Sequence, residues 1–181
     1  TAPHDAAAQA AKVPTIGVLV VGGPSSEAFW RNFRRELREL GYIEGQTLRF
    51  EFRSDQGRAD RLPELAAELV RLKVDVIVPW FTPAARAAKQ ATREIPYVAT
   101  AGDFIGTGLV ENLARPGGNI TGVSAVVADL AGKCVELVRE VLPSGRRIAV
   151  LANEPDPFSK PFLEKIRLGA EATRFTLDPV M

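Results

Sequence analysis

From residue 15 onward, apolar runs of strand length alternate with stretches whose apolar residues recur at helical spacing. This is the imprint of βα units feeding a parallel sheet, in which each strand is covered on both faces and each helix on one. The run Ile16-Gly17-Val18-Leu19-Val20-Val21 is continuously apolar and stops at Gly22-Gly23-Pro24, so it predicts a doubly buried strand over 16–21 that ends in a loop. Beyond the loop, Phe29, Phe33, Leu37 and Leu40 follow the period of a helix closed by Gly41, with Ser25 or Ser26 as its cap. Arg31, Arg34, Arg35, Arg38 and Glu39 fall mostly on the opposite, solvated face.

Leu48, Phe50 and Phe52 alternate with Arg49, Glu51 and Arg53, which predicts a strand with one wetter face near the edge of the sheet. Asp60 stands where it would cap a helix that tolerates Pro63 in its first turn and buries Leu62, Leu65, Leu69 and Leu72. A third strand is expected over 74–78. Thr82-Pro83 reads as a helix start, threonine accepting from free amides and proline supplying the preset backbone angle, and an alanine-rich helix follows to residue 92. Strands are expected over 95–100 and 120–124, the latter after the turn Arg115-Pro116-Gly117-Gly118-Asn119. A helix over 127–142, a strand over 147–152, a helix over 159–172 and a strand opening at Phe175 complete the pattern. Cys134 shares a face with Leu130, Leu137, Val138 and Val141 on the first of these helices, which predicts a buried structural thiol.

Composition narrows the class. Apolar residues at 46% and charged residues at 25% suit a globular domain, and 181 residues suffice for a sizeable core. A formal charge of +1 with interleaved signs gives no field that would draw in nucleic acid or an anionic bilayer. No apolar run approaches the roughly 20 residues of a transmembrane helix. The first dozen residues are Ala-rich and polar, have no basic or apolar region of a signal peptide, and read as a flexible leader of the kind that follows an export cleavage site.

The chemistry is limited by what is scarce. His4 is the only histidine and lies in the leader, so no Ser-His-Asp or Cys-His arrangement can be assembled in the core, and no catalytic residue is assigned. Metal-ligand spacing is absent. Gly22-Gly23-Pro24 matches neither the dinucleotide fingerprint nor the P-loop, so no cofactor is expected. What remains is a set of small polar and aromatic groups at strand ends, where an open parallel sheet places its ligands. Ser25 and Ser26 at one helix start, and Thr82 at another, cap the helix or hold an anion. Trp80 and Phe81 face either a cleft or a packing partner, and Asp103 receives an ammonium group or caps the next turn.

The segments Glu36-Leu37-Arg38-Glu39-Leu40-Gly41-Tyr42-Ile43-Glu44-Gly45-Gln46, Arg61-Leu62-Pro63-Glu64-Leu65-Ala66-Ala67-Glu68-Leu69-Val70 and Thr82-Pro83-Ala84-Ala85 carry a resemblance. So do Gly102-Asp103, Gly106-Thr107-Gly108-Leu109-Val110 and Leu113-Ala114-Arg115-Pro116-Gly117-Gly118-Asn119-Ile120-Thr121-Gly122. Together with Ile16-Gly17-Val18-Leu19 and Val74-Asp75-Val76-Ile77-Val78 they resemble ABC-transporter substrate-binding proteins, exported receptors related to those for tryptophan and other aromatic amino acids. The resemblance implies an α/β, type I periplasmic-binding fold, with residues 1–14 as leader, 15–125 as a complete first lobe and 126–181 as the start of a second. It implies a periplasmic, non-enzymatic protein that captures an amino-acid-like or aromatic small molecule between its lobes and passes it to an ABC permease in the inner membrane. A regulatory, ligand-sensing domain of the same fold is the competing reading. Gly23, Ser25, Ser26, Trp80, Phe81, Thr82, Asp103 and Ser124 would form the first wall of the site, and Asn153 and Glu154 the facing loop. Trp80-Phe81 stands where the family carries a small residue, and Phe104 where it carries proline, which implies an unusual cleft.

Overall fold

The computed structural model describes residues 12–22 and 24–180. Five parallel strands form the main sheet in the order β2-β1-β3-β4-β5: β1 Thr15–Val20, β2 Arg49–Ser54, β3 Val76–Trp80, β4 Tyr97–Ala101 and β5 Ile120–Ser124. Helices α1 Pro24–Glu39, α2 Leu62–Arg71 and α3 Thr82–Ala91 connect them. A second unit contains α4 Val127–Val141, β6 Arg147–Leu151, α5 Ser159–Thr173 and β7 Thr176–Val180, with β6 and β7 paired in parallel. The expected parallel α/β architecture is present, and the wetter strand is the edge strand β2.

The core follows from the doubly buried runs. Val18, Leu19 and Val20 are fully inaccessible, and Leu19 joins Leu62, Leu65, Leu69, Ile77, Tyr97 and the small face Ala84, Ala85, Ala88 of α3 in one apolar cluster. Alanine on that face lets α3 lie close to the sheet. The second cluster joins Ala131 and Val135 of α4 to Ile166, Ala170 and Phe175.

Several expectations are corrected. β3 begins two residues later than expected and runs through Pro79 to Trp80. Ile77 donates its N–H to Pro96 and Phe81 donates to Thr100, but Pro79 between them has no N–H, so the β3–β4 ladder skips one bond and resumes. Asp60 caps nothing: it lies within a 3-10 turn, Ala59–Arg61, and Arg61 precedes α2 without a side-chain cap. Ser25 and Ser26 lie inside α1, which starts at Pro24. Leu40 and Leu72, expected in buried stripes, are exposed at their helix ends.

Cys134 is also exposed, together with Leu130, Leu137, Val138 and Val141. Helix α4 has a second, narrower stripe of Ala128, Ala131 and Val135, and this is the face it buries. The choice is steric: Gly169 of α5 lies so close to Gly132 that a Cβ on Gly169 would come within 2.9 Å of the Gly132 carbonyl oxygen. Only the small-residue face permits that approach.

Candidate ligand-binding site

The C-terminal ends of the strands carry the loops singled out by the sequence. Gly23 lies outside the described residues, and Pro24 and Ser25 are described only as part of α1. Ser26 is buried, and with Gly22 it lines a cavity of about 620 Å³ beside Glu27, Trp30, Arg31, Phe52, Ser54 and Gln56.

The loop before α1 is held by a residue that sequence reasoning missed. Asp55, fully buried just beyond β2, accepts the N–H of Gly22 at 2.5 Å and that of Gly57 at 2.9 Å on Oδ1. Its Oδ2 is buried without a partner, as is Nε1 of Trp80. Among the described residues these two atoms are the buried side-chain polar groups left unpartnered, and both stand at ends of strands flanking β1. Buried polar atoms are nearly always paired, so an unpaired donor and acceptor mark a strained or functional region.

Trp80 and Phe81 diverge. Trp80 stacks on Phe29 of α1, with centroids 3.6 Å apart and planes inclined by 19°, and so supports the helix from the sheet. Phe81 meets Trp80 edge-on at 5.1 Å and leaves 40% of its surface exposed. Its backbone sits at φ 71°, ψ 162°, a region open essentially to glycine alone. The strain is held by Phe81 N–H donating to Thr100 and Phe81 O accepting from Ala85.

Thr82 is not the helix cap that its sequence position suggests. Phe81 occupies the cap position, and the buried Thr82 hydroxyl instead accepts the N–H of Gly102 across the sheet at 3.4 Å. The first turn of α3 therefore begins without a side-chain cap, which leaves the N–H groups of Thr82 and Ala84 without a side-chain acceptor; Pro83 has none to offer and Ala85 donates to Phe81 O. Asp103 takes the capping role: Oδ1 accepts from Gly106 at 2.8 Å, and its carbonyl accepts both the amide and the hydroxyl of Thr107. Ser124 accepts the N–H of Phe104 at 3.1 Å, fixing the same loop from β5.

The chain leaves the first sheet through Val126, whose φ of 51° is rare for a β-branched residue, and Val127 N–H donates back to Gly102. The second unit faces this loop. Phe158 packs on Gly102, Pro161 approaches Gly106, and the positive charge of Lys165 is raised in stability chiefly by its bond to Asp129, with Asp103 adding to it. Asn153 is exposed, and its carbonyl accepts from Asp156 N–H and, at 2.6 Å, from the Ser159 hydroxyl, which shapes the facing turn. Glu154 lines a different groove, of about 600 Å³, with Arg86, Lys160, Leu163 and Leu177.

Gly102 is thus met from three sides, by Thr82, Val127 and Phe158, while Ser124 holds Phe104 of the same loop. Among the described residues no cluster of His, Cys, Asp and Glu has the spacing of a metal site, and no helix is long and apolar enough to cross a membrane.

Known proteins give this arrangement a context. The chain is 33% identical over 151 residues to a tyrosine-binding protein of Clostridioides difficile, a match covering 82% of this chain and 43% of that protein. A conserved domain protein from Vibrio cholerae superposes with a TM-score of 0.84 at 32% identity, over 93% of this chain and 57% of the other. An ABC domain from Streptococcus pneumonia, solved in complex with L-Trp, gives 0.82 at 31% identity over 92% and 56%. The chain spans about half the length of these relatives. The family model for ABC transporter substrate binding proteins matches residues 15–181, and the chain belongs to that family.

Proposed function

We propose that this protein is the solute-binding component of an ABC import system, exported to the periplasm, and that it captures an aromatic amino acid in a cleft between the strand-end loops of its two units. The observation that carries this reading is Phe81: an exposed aromatic ring, held in a glycine-type backbone conformation, at the uncapped start of α3. The ring offers a face for a planar side chain, while the uncapped, positive end of the helix suits a carboxylate. Asp103, at the neighbouring strand end, is the partner for an ammonium group. Asn153 and Phe158 supply the opposite wall, and closure of the two units on the ligand presents the loaded form to a permease in the inner membrane.

The relatives support the class of ligand, one being named for tyrosine and another solved with L-Trp. Isothermal titration with L-tyrosine, L-tryptophan and L-leucine tests it. Saturable heat with the aromatic amino acids, weakened in Phe81→Gly and Asp103→Asn, is the expected result. No heat and no thermal stabilisation with any aromatic amino acid overturns the reading.

A further inference from the structure

A wide groove lies away from the strand-end loops. It encloses about 840 Å³ between α3 and the segment that returns from β4 to β5. Arg86 and Lys89 come from α3, Arg93 from the bend just after it, and Arg115 from the facing segment. Glu111 is the single acidic residue among the lining groups, so four cations stand against one carboxylate.

The walls are fastened to each other. Lys89 Nζ donates to the carbonyls of Gly108 at 2.6 Å and Leu109 at 3.1 Å. Asn119 Nδ2 donates to Ile95 at 2.7 Å and Thr92 at 3.3 Å. These bonds use the lysine's donors on the wall while its charge stays in the groove. The guanidiniums of Arg86, Arg93 and Arg115 have no carboxylate within 4.0 Å among the described residues and make no hydrogen bond there, so their planar donor forks are unspent.

The floor carries a further unspent donor. Tyr97 is 1% exposed, lines this groove, and its hydroxyl has no hydrogen-bond partner among the described residues. Burial pushes the phenol above its ordinary value, so it remains a proton donor at neutral pH. The Tyr97 hydroxyl, on a residue that lines the groove, joins the unpaired guanidiniums as a donor set for oxygen acceptors. Leu109 and Ile120 line the remainder.

We infer that this groove is a second site, distinct from the strand-end cleft, for a small, multiply charged oxyanion of the phosphate or polycarboxylate type, held by Arg86, Arg93 and Arg115 with Tyr97 at its floor. Guanidinium forks match both chemistries, and the volume exceeds what a single phosphate fills. Singly charged ions would engage too few of the forks to compete.

The test is titration of the protein with inorganic pyrophosphate and with citrate at constant ionic strength, followed by calorimetry and amide chemical shifts. Saturable binding is expected, with shifts centred on Arg93, Tyr97 and Gly117 and unchanged when L-tyrosine is present. Arg93→Gln/Arg115→Gln should weaken it about tenfold or more and Tyr97→Phe by about threefold, while Arg38→Gln/Arg71→Gln removes the same charge elsewhere and leaves it intact. The preferred anion identifies the source. Absence of saturation by either anion up to about 10 mM, or equal loss in the control variant, overturns the proposal whatever the cleft binds.

Discussion

The ring of Phe158 rests on the α-carbon of Gly102: a Cβ added there would lie 2.7 Å from both Cδ2 and Cε2 of the ring. Gly102 belongs to the first sheet's loops and Phe158 to the second unit, so this contact joins the two walls of the proposed cleft. Gly102→Ala should force the ring and its loop away, costing about 1–3 kcal/mol of stability. Phe158→Leu in the same chain should recover part of that loss. Urea unfolding of the two single variants and the double variant measures the coupling, and strict additivity would show that the contact is absent in solution.

Phe81 invites a comparison of two truncations. Phe81→Ala removes the ring and keeps a Cβ in a glycine-type conformation, whereas Phe81→Gly removes the ring and the strain together. The glycine variant is therefore expected to be the more stable of the two by about 1 kcal/mol or more, although glycine normally costs stability through unfolded-state entropy. Both should lose affinity for aromatic ligands. Thermal unfolding and titration of the same preparations separate the two effects.

The sheet was legible from residue types because Val18, Leu19 and Val20 can be buried on both faces only in a central parallel strand. Features that depend on partners distant in sequence were not. Thr82 looks like a cap from its neighbours, yet its hydroxyl finds Gly102 across the sheet. Asp55 shows locally only its turn with Gly57, and its hold on the N–H of Gly22, 33 positions earlier, has no local signal. Helix α4 has two apolar stripes, and periodicity cannot choose between them; the approach of Gly132 to Gly169 does. The strand-end loops were found because the topology fixes where strands stop, but the division of labour between Trp80 and Phe81 rests on the stacking of Phe29.

Asp55 should respond differently to two substitutions. Asp55→Ala leaves the N–H groups of Gly22 and Gly57 without their acceptor and should cost about 2–3 kcal/mol. Asp55→Asn keeps an acceptor on Oδ1 and replaces the unpartnered Oδ2 with an uncharged group, so its loss should be smaller. Chemical unfolding ranks the two, and a larger loss for asparagine would mean that the buried Oδ2 has a partner in solution.

Asp75 ties the start of β1 to the start of β3. Its carboxylate accepts from Lys12 Nζ and from Thr15 N–H, each at 2.7 Å, and these bonds, the lysine's first, hold its pKa below the ordinary carboxylate value. A depressed folded pKa adds stability that is present above the unfolded value and is lost as pH falls through the folded one. The group is more than a third exposed, so the contribution is small. Asp75→Asn should lower the urea midpoint at pH 7, and the gap to the parent should close at pH about 3 and below. A gap independent of pH would place the effect in packing.

Cys134 supplies the last test, because the two stripes of α4 make opposite predictions for it. If α4 buried Leu130, Leu137 and Val141, the thiol would be shielded and would react only on unfolding. With Ala128, Ala131 and Val135 against α5, the thiol lies on the outer face among exposed apolar side chains. The native protein should therefore consume one equivalent of a thiol reagent such as Ellman's reagent without denaturant. Labelling that requires denaturant would reverse the orientation of the helix. It would also move Leu130 and Leu137 into the core and leave the close pairing of Gly132 with Gly169 without a cause.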